Sequence, residues 1–110
     1  MVKNDEYYVQ KIIDDLSFVV ENTKDVTIDE MIANQFMLDS IMFRIIQISE
    51  NNNKLSSEFK AKHNDIPWAA IKGMRNVIVH DYGIINYEMV YDTISNKMPI
   101  MLKELLDTKK

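Results

Sequence analysis

Cysteine is absent from this chain of 110 residues. That excludes disulfides, thiolate nucleophiles and cysteine-ligated zinc, and it fits a reducing compartment such as the cytoplasm. Glycine and proline occur only twice each, too few for a turn-rich β-fold, so helices are expected. No apolar run approaches the ~18 residues of a membrane span, and no basic-then-apolar leader opens the chain. A cytoplasmic protein without a membrane partner is the expectation. Positive charge is short too: 13 Lys and Arg face 17 Asp and Glu, a formal net charge of −4. A protein that coats long nucleic acid needs Lys and Arg to neutralise phosphates, so the balance counts against that role. It leaves room for an enzyme that touches a few nucleotides at a small basic site.

What is present is an apolar and charged mixture, 46% hydrophobic and 27% charged, typical of a globular chain. The length suits one domain, residues 1–110, around one core. Val9, Ile12, Ile13, Leu16, Val19 and Val20 recur at helical spacing and predict a first helix over Asp5–Glu21. A polar break over Asn22–Asp25 ends it. Thr27-Ile28-Asp29-Glu30 reads as a capping box, with the Thr hydroxyl taking a free backbone N–H and Glu reaching back. A long helix is expected from there to about Glu50, carrying Ile32, Phe36, Leu38, Ile41, Met42, Ile45, Ile46 and Ile48. Its apolar residues exceed one stripe, so it is central or also forms an interface.

Beyond Asn51-Asn52-Asn53, Ser56–Lys62 allows a short helix. Pro67 suits the first turn of the next, where its missing N–H has no partner to lose. Trp68, Ile71, Met74 and Ile78 give it a three-and-four spacing. Gly83 marks a turn, Asn86 can cap a last helix carrying Met89, Val90, Ile94, Leu102, Leu105 and Leu106, and Pro99 should kink or divide it. The sum is an all-α bundle of four main helices with one or two short extras.

The stretch Met74-Arg75-Asn76-Val77-Ile78-Val79-His80-Asp81-Tyr82 carries the chemistry. Arg can grip a phosphate through two parallel hydrogen bonds. His can move a proton near neutral pH, and Tyr offers a hydroxyl that donates or accepts. Taken singly, each has a plainer use: Arg75 complementing a helix C-terminus, His80 as a surface or cap residue, Tyr82 in packing. Positions five apart on an ideal helix lie about 140° from each other, so Arg75 and His80 converge only if the helix ends between them or a second copy completes the pair. Asp39 and Glu50, eleven apart, share one helix face with Phe43 and Ile46 between them; solvated acids at the ends of a core stripe are the plain interpretation. Arg44 lies outside that stripe as a surface or interface charge. His63 is expected to be exposed, with no metal-ligand spacing around it, and Trp68 to anchor a core or interface.

The run Arg75-x4-His80-x-Tyr82 resembles the signature of the HEPN superfamily, and within it of the HepT-like ribonuclease toxins. Ile66-Pro67-Trp68, Ile71, Gly73-Met74-Arg75-Asn76 and Val79-His80-Asp81-Tyr82 look like the family's I-P-W…I-x-G-M-R-N-x-x-V-H-x-Y block. Ile48-Ser49-Glu50-Asn51 resembles its I-G-E-A, with the Glu kept and the Gly and Ala replaced. The family's acidic residue after the motif is Asn86 here. The resemblance covers most of the chain from about Ile32. It implies a HEPN-type bundle and a metal-independent endoribonuclease with no cofactor, in which the substrate's 2′-OH attacks phosphorus. Arg75 and His80 would be catalytic, and Asn76, Tyr82 and Glu50 would bind phosphate or support the site. It further implies a homodimer whose two motifs share one cleft, buried partly through the Ile32–Ile48 helix. The implied partners are RNA and, as in a type VII toxin–antitoxin pair, a minimal nucleotidyltransferase antitoxin that silences the toxin by AMPylating Tyr82. The alternative is a non-catalytic helical module that docks a nucleotidyltransferase and presents substrate or nucleotide to it.

Overall fold

The computed structural model describes residues 3–77 and 85–109. The expectations placed on Ile78, Val79, His80, Asp81, Tyr82 and Gly83 lie outside the described residues. Among those described there are helices and no strand. Helix α1 spans Asp5–Asn22, α2 Ile28–Ala33, α3 Gln35–Asn53, α4 Ser57–Lys62 and α5 Trp68–Gly73. A 3₁₀ turn over Met74–Val77 continues α5. Helix α6 spans Tyr87–Asp92, a π-helical turn covers Thr93–Lys97, and α7 spans Met98–Asp107. With α5 and its 3₁₀ turn as one rod, and α6, the π turn and α7 as another, four main helices stand beside the short α2 and α4. This is the expected all-α bundle of HEPN type.

The sequence explains where most elements begin. Asn4 caps α1 by accepting from the Tyr7 amide, and Ser56 caps α4 by accepting from the Phe59 amide. Both halves of the Thr27/Glu30 capping box form. Asn86 accepts from the Met89 amide at the start of α6. Pro99 divides the last helix as expected: a proline ring clashes with the carbonyl four residues back, and the chain widens into the π turn just before it.

The long helix expected from Thr27 to Glu50 is two helices. Asn34 breaks it, with φ −111° and ψ 89°, and its side chain accepts from the Met37 amide to start α3. An Asn side chain can replace the helical hydrogen bond it interrupts, which apolar periodicity does not reveal. Helix α3 also runs past Glu50 to Asn53, because Asn52 is fully buried and Asn51 nearly so.

Neighbours run α7, α1, α3, α5 across the bundle, with the 3₁₀ turn also on α3. The core joins Val9, Ile12, Leu16 and Val19 of α1 to Leu38, Ile41, Ile45 and Ile48 of α3, then Ile71 and Met74, and Met98, Met101 and Leu105 of α7. Between α1 and α3 the buried Asp15 accepts from Arg44 at 2.7 Å. The Arg44 guanidinium lies 4.0 Å from the centre of the Phe18 ring. Arg44 is therefore a half-buried partner between helices rather than a free surface charge, its stem covering apolar surface while its head neutralises Asp15.

The Glu30 carboxylate sits below its ordinary value of 4.5, first because it accepts from the Thr27 backbone and then from its hydroxyl side. A carboxylate lowered on folding adds stability above its ordinary value, and that contribution is lost as pH falls through the folded value. Gln can keep the box without the charge. Urea midpoints of the native chain and of Glu30→Gln should therefore differ in favour of the native chain at pH 7, and the gap should be smaller at pH 3. A gap that is unchanged at pH 3 would contradict this assignment.

Candidate functional site

The site is built at the junction of α3 with α5. Trp68 opens α5 and fixes its start: the indole Nε1–H donates to the carbonyls of His63 at 3.0 Å and Lys60 at 3.3 Å. Its ring meets Phe59 edge-on at 5.8 Å. Trp68 is the anchor the sequence suggested. His63 is not freely exposed; it is half-buried at the end of α4 with its ring 4.6 Å from Phe59. Among the described residues no group of three or more His, Asp and Glu is placed to hold a metal ion, and no helix is long and apolar enough to cross a membrane.

Two apolar side chains, Ile71 and Met74, bury the inner face of this rod. Two polar ones, both from α3, hold its backbone. The Ser49 hydroxyl donates to the Lys72 carbonyl at 2.8 Å, and Asn52 Nδ2–H donates to the Trp68 carbonyl at 3.2 Å. At Gly73 the α-helix gives way to the tighter 3₁₀ turn, which carries Arg75 and Asn76, both exposed. The α-helix thus ends before Arg75. Glu50 is exposed on α3, one residue from Ser49. Among the described residues no ion pair joins Glu50 to Arg75, so the structure brings the two elements together without bonding the two side chains. His80 and Tyr82, the other two motif residues, lie outside the described residues.

Asp39, at the far end of the stripe shared with Glu50, accepts from Gln35 at 2.7 Å and is exposed. The stripe between the acids is only partly core: Ile46 packs against the core, but Phe43 is 57% exposed, and Phe36, about two turns before it, is 85% exposed. Phe18 lies beside them, and a shallow hollow is lined by Phe18, Phe36, Asp39, Ser40, Phe43 and Arg44. The surplus apolar surface expected on this helix is present on its N-terminal half.

Sequence reasoning passed over Ser49 and Asn52. The signal was available: Ile48, Asn52 and Leu55 continue the four-and-three spacing of the core face, so the asparagine run is helix rather than linker.

Gly73 has an ordinary backbone, and among the described residues a Cβ built on it meets nothing within 4 Å. None of the described residues requires a glycine there. Gly73→Ala should raise folding stability by about 0.5–1 kcal/mol, read as a higher denaturant midpoint, because glycine costs that much in a helix. A loss of stability would mean that the α5 end is more crowded than it is here.

The family description "Ribonuclease HepT-like" matches residues 10–107. A protein of Caldanaerobacter subterraneus subsp. tengcongensis named "Putative RNase" is 27% identical over 112 residues, covering 99% of this chain and 100% of the relative. One from Methanocaldococcus jannaschii, named "Gamma-glutamylcyclotransferase and putative RNase", is 28% identical over 106 residues, covering 96% of this chain and 48% of that longer protein. A "Probable ribonuclease HepT" of Thermococcus cleftensis is 19% identical over 99 residues, with 90% of each chain covered. No solved structure matches. With nearly its whole length matched, and with Arg75 held out at the end of α5, the chain belongs to the ribonuclease HepT-like family.

Proposed function

We propose that residues 1–110 form a single HepT-like domain that acts in the cytoplasm as a metal-independent endoribonuclease, the toxin of a type VII toxin–antitoxin pair. The observation that carries this is Arg75, exposed on a turn that is pinned to α3, in a chain of a ribonuclease family. In the reaction the substrate's 2′-oxygen forms a bond to the adjacent phosphorus as its proton leaves. The bond from phosphorus to the 5′-oxygen breaks, and that oxygen takes up a proton. The products are a 2′,3′-cyclic phosphate and a free 5′-hydroxyl. His80 moves one of the two protons, a task suited to its range near neutral pH. Arg75 meets the charge that builds on the phosphoryl oxygens, which favours the transition state over the ground state. Asn76 and Tyr82 hold phosphate oxygens, and Glu50 supports the site from α3. No cofactor is needed.

One histidine serves poorly as acid and base together, so a second copy of the chain supplies the other. The exposed Phe36 and Phe43 of α3, with Ile32 on α2, offer the apolar surface for such a homodimer. Silencing falls to a minimal nucleotidyltransferase antitoxin. The Tyr82 oxygen attacks the α-phosphorus of ATP and pyrophosphate leaves, so ATP is the antitoxin's substrate. The added AMP brings an anion beside Arg75 that competes with the RNA phosphate. The net charge of −4 favours a second reading, a binding module that presents substrate to a nucleotidyltransferase without cutting RNA itself.

Purified chain incubated with end-labelled RNA in EDTA should cut it and leave cyclic phosphate ends. Arg75→Ala and His80→Ala should each abolish detectable cleavage, the His change losing on the order of 10²–10⁴-fold and the Arg change on the order of 10²–10³-fold, with unchanged helical circular dichroism. After incubation with the antitoxin and ATP, intact mass should rise by AMP units and cleavage should stop, and neither should happen in Tyr82→Phe by modification. Full cleavage by His80→Ala would favour the binding module instead, and a mass gain that survives in Tyr82→Phe would place the acceptor elsewhere.

Sedimentation at micromolar concentration should show a dimer, and Phe36→Glu with Phe43→Glu should convert it to a folded monomer with weakened cleavage. A native chain that sediments only as monomer would remove the dimer from the mechanism.

A further inference from the structure

We propose that Ser49 and Asn52 of α3 are positioning residues for Arg75: a two-point polar clamp on the α5 backbone that fixes the direction from which Arg75 meets the substrate. The proposal rests on the nuclease reading above and adds to it two residues outside the motif. Ser49 and Asn52 stand three apart on α3 and face one way; Trp68 and Lys72, whose carbonyls they hold, stand four apart on α5. One contact would let α5 pivot. Two contacts a helical turn apart fix both its rotation and its slide along α3.

The upper contact sits where it matters for Arg75. The last carbonyls of an α-helix lack a helical donor, and Lys72 lies in the last turn of α5, one residue before the helix tightens into the 3₁₀ turn. The Ser49 hydroxyl supplies a donor there. Arg75 is three residues beyond the gripped carbonyl, on a turn whose inward anchor is Met74, 3% exposed. The direction of the exposed Arg75 follows from that short lever.

Asn52 points to a task other than stability. It is fully buried, and among the described residues its Oδ1 has no hydrogen-bond partner. A buried acceptor left unpaired costs free energy that an apolar side chain of similar size would not. The asparagine therefore retains a cost in the seam while its Nδ2–H holds Trp68.

Misplacing a catalytic group by about 1 Å can cost on the order of 10²-fold in rate, so the effect should fall on turnover. Ser49→Ala, Ser49→Thr and Asn52→Leu are compared with the native chain for kcat and KM on one RNA, for thermal midpoint, and for amide exchange at Arg75 and Asn76. Ser49→Ala and Asn52→Leu should lose roughly 10- to 100-fold in kcat with KM within a few-fold. Asn52→Leu should lose no thermal stability, and Ser49→Thr, which keeps the hydroxyl, should recover most of the rate. Exchange at Arg75 and Asn76 should speed up in Ser49→Ala while the amides of α1 stay as they were. Unchanged kcat in both loss variants would overturn the clamp. So would losses that simply track the thermal midpoint and are not rescued by Thr. If the native chain cuts no RNA, the nuclease reading fails by itself; the exchange measurement then decides the clamp, with unaltered exchange in Ser49→Ala refuting it.

Discussion

The contact of α3 with α1 is the constraint on which the other elements depend. Each helix presents one apolar stripe, Val9–Ile12–Leu16–Val19 against Leu38–Ile41–Ile45–Ile48, and every one of these side chains is buried. Full burial of such a side chain contributes roughly 1.5–3 kcal/mol. The Asp15–Arg44 pair inside the same seam contributes far less net, because desolvating the carboxylate offsets most of the attraction. The apolar stripe therefore supplies the free energy, and the ion pair selects the register: a slide of α3 by one turn would leave Asp15 buried without its cation. Helix α7 packs on the other side of α1, and α2 and α6 meet beside α3, so these elements take their places from the first pair.

Past Ile48 the inner face of α3 changes character. The next inward positions are Ser49 and Asn52, and they meet backbone carbonyls of α5 rather than side chains. Apolar contacts are non-directional and tolerate small rotations. Hydrogen bonds to fixed carbonyls do not. The two halves of α3 thus perform different tasks, the first cohering the bundle and the second aiming α5. The helix that organises the core also reaches the turn bearing Arg75, which ties the geometry of the site to the most buried part of the fold.

Much of this was legible in the sequence because local chemistry and tertiary packing agree. The α1 stripe, the Thr27–Glu30 box, the Asn86 cap and the division at Pro99 all follow from one residue and its neighbours. The failures have a common cause: in each, a polar side chain finds a partner that apolar periodicity does not reveal. Asn34 interrupts an apolar pattern by capping its own following turn. Arg44 was expected as a surface or interface charge without a named partner, because that partner, Asp15, is 29 residues away. The asparagine run passed for the end of a helix because Trp68, to which Asn52 donates, lies 16 residues on. At the candidate site, the resemblance is what proposes Arg75, whereas the change from α to 3₁₀ at Gly73 depends on the fit of α5 to α3 and has no one-residue signature.

The acidic balance of the chain, which weighs against an RNA substrate, is unevenly spread. Between Phe59 and Val77 there are four basic residues, Lys60, Lys62, Lys72 and Arg75, and one acid, Asp65. That segment therefore carries +3, and the rest of the chain −7, which together make the formal −4. Several acids elsewhere are already engaged: Asp15 with Arg44, Asp5 with the amide and hydroxyl of Ser56, and Glu30 in its capping box. Screening limits an exposed charge to a reach of about 8–10 Å at physiological salt. A phosphate arriving at the α5 turn responds to the charges within that reach: Arg75 on the turn itself and Lys72 in the last turn of α5 are positive, and Glu50 on the adjoining α3 is negative. Net charge argues against a long, sequence-independent RNA track along this protein. It does not argue against a few phosphates bound at one end of the bundle, which is all that cleavage of a single phosphodiester requires.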